Sequence, residues 1–96
     1  MNFEMKTQKI LDAAAATGAG IPAALPPGKK IFSITGTFVG TVKIQGSVGG
    51  SVWKDIYTST VEADVEVDDI YPKHRANVTA YTSGAITVTS GHPVAK

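Results

Sequence analysis

Apolar and polar side chains alternate along most of the chain after residue 28, as they do in half-buried β-strands. The apolar positions of these stretches are Phe32, Ile34, Gly36 and Phe38, then Val42 and Ile44, then Ala63, Val65 and Val67, then Ala76, Val78 and Ala80, and last Ile86 and Val88. Turn-forming residues separate the stretches about every 8 to 12 residues. The pattern predicts an all-β fold, a small antiparallel β-sandwich of about six to eight strands, immunoglobulin-like or jelly-roll-like.

Residues 36–57 form the central hairpin of this predicted sandwich. The pair Gly49-Gly50 can adopt the positive φ that a tight turn needs. Trp53 is the single tryptophan and the largest apolar side chain, so we expect it to anchor the core. Ser83-Gly84 predicts a second hairpin. One buried cluster is expected to contain Phe32, Ile34, Phe38, Val42, Ile44, Trp53, Val65, Val78, Ile86 and Val88.

The first 28 residues lack such a pattern and are predicted to form an extended N-terminal arm and a Pro/Gly linker. Residues 7–16 fit either a helix or an edge strand, and three prolines between residues 22 and 27 exclude a central strand. We therefore divide the chain into an arm (1–28), a sandwich domain (29–91) and a C-terminal tail (92–96). The scattered apolar residues of the arm are expected to bind other chains: Phe3, Met5, Ile10, Leu11, Ile21 and Leu25.

Composition narrows the classes of function. The chain has 96 residues, a net charge of +1 and no cysteine, which excludes disulfides and thiolate metal sites. Because the net charge is small, we expect no binding of nucleic acid and no general attraction to membranes. No apolar run approaches the roughly 20 residues of a membrane span.

The sequence contains no arrangement of residues that indicates catalysis. His74 and His92 are the only histidines, and no carboxylate or serine stands at a spacing from His74 that suggests a proton relay. His92 lies in the predicted tail, where a mobile surface position is expected. Phosphate-binding loops, zinc-protease motifs and calcium loops are missing from the sequence. We expect no enzymatic activity, no cofactor and no metal.

One charge pattern stands out, a row of carboxylates formed by Glu62, Asp64, Glu66 and Asp68, followed by Asp69. A period of two places the first four on one face of a strand, about 6–7 Å apart. Three interpretations remain open: a solvated edge strand whose charge prevents aggregation, a docking edge for basic residues of a partner such as a neighbouring copy, and a cation site. We take Glu62, Asp64 and Glu66 as candidate partner-binding residues.

Several short motifs occur through the chain at turns and strands: residues 16–20 (ATGAG), Gly28-Lys29-Lys30 with Phe32, residues 35–38 (TGTF), residues 42–47 (VKIQGS), Trp53, and residues 75–84 (RANVTAYTSG). Together they resemble the motifs of small virion structural proteins of tailed bacteriophages. The resemblance implies a β-sandwich that decorates or cements a capsid, or one that sits on the tail. It also implies binding to the major capsid protein and to neighbouring copies of the chain, as a homo-oligomer or lattice-bound protein. The expected location is the capsid surface of a virion, after synthesis in the host cytoplasm.

The alternative function is a tail-associated or carbohydrate-binding β-sandwich that attaches a particle to a host surface. Sugar sites on such folds usually present several aromatic side chains on one exposed face. Only Tyr57, Tyr71 and Tyr81 are candidates here, because Trp53 is expected in the core. The shortage of exposed aromatics favours the capsid protein over the sugar-binding module. A cellular immunoglobulin-like module is a third interpretation.

Overall fold

The computed structural model describes residues 3–95 of the chain, and the side chains of residues 4–94. Every regular element in this part of the chain is a β-strand. The strands are β1 (Phe3–Ala14), β2 (Gly18–Ala19), β3 (Ala23–Ala24), β4 (Gly28–Thr35), β5 (Phe38–Ser47), β6 (Lys54–Ser59), β7 (Ala63–Asp69), β8 (Lys73–Gly84) and β9 (Ile86–Ala95).

The strands form two sheets that pack face to face. The four-stranded sheet has the order β1-β9-β4-β7, and the five-stranded sheet has the order β2-β8-β5-β6, with β3 also pairing with β8. All the strand pairs of both sheets are antiparallel. The predicted all-β sandwich is confirmed.

The core lies between the sheets and follows the period-two pattern, because alternate side chains of each strand point inward. Phe32 and Ile34 of β4 face Val42 and Ile44 of β5 across it, and all four are fully buried. Seven of the ten expected core residues are buried, namely Phe32, Ile34, Val42, Ile44, Val78, Ile86 and Val88. Phe38 and Val65 are partly buried and pack against this cluster.

Trp53 is not part of the core, so its predicted anchoring role is wrong. The predicted hairpin is present as β5 and β6, but their connection spans residues 48–53 and carries Trp53 outside the sandwich. Its half-buried ring lies under the guanidinium of Arg75, 4.3 Å from the ring centroid. Gly50 has a φ of 86° and donates its N–H to Ser47 Oγ at 2.8 Å, which stabilises the turn.

The second predicted hairpin, at Ser83-Gly84, is also wrong. β8 belongs to the five-stranded sheet and β9 to the four-stranded sheet, so the chain crosses between sheets there. The connection from β4 to β5 crosses beside it. Gly84 has a φ of 90°, and a Cβ at this position would overlap the carbonyl oxygen of Thr37 in the other connection. Gly36 meets Ala85 in the same way, so glycine is needed at both crossings.

The predicted N-terminal arm is a strand of the sandwich. Residues 3–14 form β1, which pairs with β9, so the ambiguous stretch at residues 7–16 is largely strand and not helix. A bulge after Lys9 turns both Ile10 and Leu11 inward, and both are buried. The prolines flank the two-residue strand β3, where no long ladder has to be maintained. The boundary expected at residue 28 therefore falls inside one sandwich, and the expected tail from residue 92 continues β9.

Candidate binding surfaces

The apolar residues expected to bind a partner divide into two groups. Ile10, Leu11 and Leu25 are core residues, with 1%, 8% and 5% of their surface exposed, so the expectation that they contact other chains is wrong. They face inward because residues 10–25 wrap against the sandwich: the N–H of Ile21 bonds Ile10 O, and that of Leu25 bonds Pro72 O. Met5 and Ile21 are exposed, and the side chain of Phe3 lies outside the described residues.

The row of carboxylates lies along an edge of the four-stranded sheet. Glu62 immediately precedes the edge strand β7, which carries Asp64, Glu66 and Asp68 on its exposed face. Glu66 is 3.6 Å from Lys29 Nζ, and Glu62 accepts the N–H of Gly36 at 2.9 Å. Asp64 and Asp68 have no ion pair within residues 4–94. The prediction of an exposed acidic edge is confirmed, and the docking interpretation stays a prediction.

Asp69 leaves this exposed row and lies largely inside the sandwich. Its carboxylate is 3.0 Å from Lys30 Nζ and 2.9 Å from His74 Nε2, and the side chains of both partners are fully buried. Burial raises the pKa of Asp69. Hydrogen bonds from His74 and Lys30, together with the charges of these two residues, lower the pKa by more than burial raises it, so the pKa lies below its ordinary value. An ionised carboxylate only accepts hydrogen bonds, so Nε2 of His74 carries the proton.

The sequence analysis did not predict this buried ionic cluster, because no sequence motif indicates it. The available signal is the parity of Lys30, which occupies the same inward face of β4 as Phe32 and Ile34. A buried lysine requires a carboxylate partner, and Asp69 supplies it from the neighbouring strand β7, two residues beyond the one opposite Lys30. Within the described residues, no hydroxyl contacts either ring nitrogen of His74, so the cluster has no nucleophile next to its histidine.

The outer face of the five-stranded sheet carries a connected polar platform, which we define as Lys43, Gln45, Trp53, Asp55 and Arg75. Asp55 accepts hydrogen bonds from Lys43 and from Gln45, each at 2.8 Å. Gln45 accepts in turn from Arg75 Nε at 2.8 Å, and the guanidinium lies over Trp53. The hydrogen bond from Lys43 and then that from Gln45 lower the pKa of Asp55.

The polar platform holds planar side chains in fixed orientations beside an aromatic ring. Neither the terminal nitrogens of Arg75 nor the indole N–H of Trp53 has a hydrogen-bond partner among the described residues. Open donors beside an aromatic ring can bind the hydroxyl groups of a polar ligand such as a sugar. Sequence reasoning missed this surface because it placed Trp53 in the core.

The described residues contain no group of three or more histidine, cysteine or acidic side chains arranged to hold a metal ion. They also contain no helix long and apolar enough to cross a membrane.

No protein-family model matches the chain, and no curated protein sequence matches it. Among solved structures, the chain is similar to the SPBc2 prophage-derived protein YomS, with a TM-score of 0.83. The alignment covers 98% of this chain and 96% of that protein, at 12% sequence identity. At this identity the similarity is one of fold. The chain therefore shares the fold of a prophage-derived protein over nearly the whole length of both.

Proposed function

We propose that the chain is a structural virion protein of a tailed bacteriophage that binds the outer capsid lattice and stabilises the head as a decoration or cement protein. The observation that carries the proposal is the fold shared with a prophage-derived protein along nearly the full length of both chains. The motifs that resemble small phage virion proteins support the same assignment.

The dimensions of the sandwich suit a protein that lies on a shell. Its principal extents are 45 × 27 × 17 Å, so it is a thin plate with two broad faces and long strand edges. A plate of this kind can cover the junction between neighbouring capsid subunits while adding little height. On a repeated lattice, modest contacts at each copy add up, because bound neighbours hold one another in place.

The acidic edge along β7 is the surface that we assign to the capsid. Its exposed carboxylates Glu62, Asp64 and Glu66 would face basic residues of the major capsid protein. Asp64 has no compensating cation within the described part of the chain, so a basic partner would relieve the repulsion along the row. Contacts between exposed charges speed association and weaken as salt rises.

The test uses heads from a phage that lacks the gene for this chain. Purified protein is added back, and bound protein is measured by co-sedimentation at low and high salt. The parent should bind, and the triple variant Glu62→Gln, Asp64→Asn, Glu66→Gln should bind more weakly and with a flatter salt dependence. Asp64→Asn should show part of the effect. The matched control Asp12→Asn, which removes one exposed carboxylate on β1, should bind like the parent.

Two results would overturn parts of this proposal. A parent protein that does not bind heads would remove the decoration role altogether. Unchanged binding of the triple variant at low salt would leave the role intact and would show that the acidic edge is not the contact.

The polar platform favours a second candidate function, the binding of a host-surface carbohydrate. The specific observation is the half-buried ring of Trp53 beside Arg75, on an outer face and not in the core. Calorimetric titration with host cell-surface polysaccharide tests it. Binding that is lost in Trp53→Ala and kept in Tyr81→Ala, which changes an aromatic side chain outside the platform, would support this function over the capsid role.

A further inference from the structure

We infer that two copies of this chain associate through the free edge of β1, in antiparallel two-fold pairing that joins their four-stranded sheets into one of eight strands. This inference goes beyond the virion proposal and is tested without a particle. It concerns the N-terminal half of β1, residues 3–9, which we call the β1 edge.

The β1 edge is regular and has no strand partner on its outer side among the described residues. β1 pairs with β9 on its inner side in unbroken register from Phe3 opposite Ala95 to Lys9 opposite Thr89. In the described part of the chain, other segments contact the outer side of β1 only from Ile10 onward, where the N–H of Ile21 donates to the carbonyl oxygen of Ile10 at 3.1 Å. An unpaired edge of this length leaves a row of backbone donors and acceptors ready to bind another strand.

The other edge of the same sheet is unsuited to self-association. On β7 the residues Asp64, Glu66 and Asp68 share one exposed face. In any antiparallel self-pairing that keeps both cores on the same side of the sheet, residues of like parity stand opposite one another. Carboxylates would then oppose carboxylates across the axis, which is destabilising. Of the two edges of this sheet, the β1 edge is therefore the one compatible with a second copy.

The charges on the β1 edge select one register. With the two-fold axis at Met5, Glu4 stands opposite the second copy's Lys6, and the symmetry makes this pair twice. Moving the axis one residue in either direction places the Lys6 side chains of the two copies opposite each other, or the two Glu4 side chains. Both shifts replace attraction by repulsion, so only the Met5-centred register is complementary among these three.

Met5 itself supplies an apolar contact at the proposed axis. Its side chain is 55% exposed and borders a groove of about 250 Å³ on the outer face of the four-stranded sheet. Ile31, Gly91 and Pro93 line the groove with it. Two-fold pairing would bring the two Met5 side chains together and join the two grooves, so that apolar surface now in contact with water becomes covered.

The experiment is sedimentation equilibrium on the full chain over a wide concentration range. The parent should show a monomer–dimer equilibrium. Lys6→Glu and Glu4→Lys each turn both attractive pairs into like-charge pairs, and each alone should weaken dimerisation about tenfold or more. In an equimolar mixture, the Glu4→Lys chain presents two lysines at positions 4 and 6, and the Lys6→Glu chain presents two glutamates there. Both cross-strand pairs are then attractive again, so the dimer should reappear as a heterodimer.

The matched control is Lys54→Glu, which makes the same charge change on the exposed edge strand β6 of the other sheet. Alone it should dimerise like the parent. Mixed with Glu4→Lys, it should form a heterodimer more weakly than Lys6→Glu does, because only one of the two cross-strand pairs is then attractive. A parent that stays monomeric at all concentrations would overturn the inference. So would single variants that dimerise like the parent, or a mixture of Lys6→Glu and Glu4→Lys that stays monomeric. Circular dichroism of each variant keeps loss of dimer separate from loss of fold.

Discussion

His74 donates through Nε2 to both carboxylate oxygens of Asp69, at 3.0 and 2.9 Å, in the interior of the sandwich. The two residues belong to different sheets, because Asp69 ends β7 and His74 lies in β8. Lys30 of β4 binds the same carboxylate at 3.0 Å. The cluster thus ties the sheets together at one end of the sandwich, where the apolar core gives way to the connecting loops.

Removing the charge of Asp69 should destabilise the fold strongly. Asp69→Asn leaves the ammonium of Lys30 buried without a carboxylate, and losing one partner of a buried ion pair costs about 3–5 kcal/mol. The free energy of unfolding in urea measures this. Asp55→Asn is the control, since it breaks a similar hydrogen-bonded pair on the outer surface and should leave stability close to that of the parent. Equal effects of the two substitutions would contradict the structural role of the cluster.

The same cluster predicts how stability depends on pH. The pKa of Asp69 in the folded protein lies below its ordinary value of 3.8, so the unfolded chain takes up the proton first as the pH falls. The stabilisation from Asp69 is therefore fully present above about pH 4 and is lost as the pH drops through the folded pKa. Urea unfolding between about pH 5 and about pH 2.5 should show a steeper loss for the parent than for Asp69→Asn. Parallel pH profiles would be inconsistent with this account.

Two aromatic candidates for the core, Phe32 and Trp53, should behave differently. Phe32 is fully buried, and Phe32→Ala should lower the free energy of unfolding by about 3–5 kcal/mol. Trp53 is half-buried on the outer face, where it contacts Arg75, so Trp53→Ala should cost only about 1–2 kcal/mol. Thermal unfolding of the two variants makes the comparison. If Trp53→Ala lowered the stability more than Phe32→Ala did, the tryptophan would have to be part of the core.

The N-terminal strand should contribute to folding. Ile10→Ala removes a side chain that is 1% exposed and should cost about 2–5 kcal/mol. Ile21→Ala is a matched control, because the same substitution at a 75% exposed position should change stability by less than about 0.5 kcal/mol. Denaturant titrations of both variants distinguish a strand from a detachable arm. Equal and small effects of the two substitutions would support the prediction that the N-terminal residues form an arm outside the sandwich.

The period-two pattern predicted most of the sandwich because strands such as β4 and β5 bury one face and expose the other. It failed at β1, where the bulge after Lys9 turns the consecutive residues Ile10 and Leu11 inward and breaks the period. It also failed at Gly84, since a glycine at a sheet crossing looks the same in sequence as one in a hairpin. Only the proximity of Thr37, which lies 47 positions earlier, distinguishes the two.

The surfaces were predictable to different degrees. The exposed face of β7 follows directly from alternating carboxylates at Asp64 and Glu66. The cluster of Asp69, Lys30 and His74 does not, because its members meet only when the two sheets pack together. The proposed pairing of the β1 edge with a second copy could not be predicted either, because it depends on the position of β1 at the end of a sheet, which is a property of topology.

Under the proposed function, cryo-electron microscopy of a phage particle whose genome carries the gene for this chain tests the central claim most directly. The account predicts density for a two-layered sandwich of about 45 Å in length, repeated on the outer surface of the head at symmetry-related positions, with β7 facing the major capsid protein. Particles that lack the gene should lose this density. Heads of the parent phage without such density, or the same density found only on the tail, would contradict the claim.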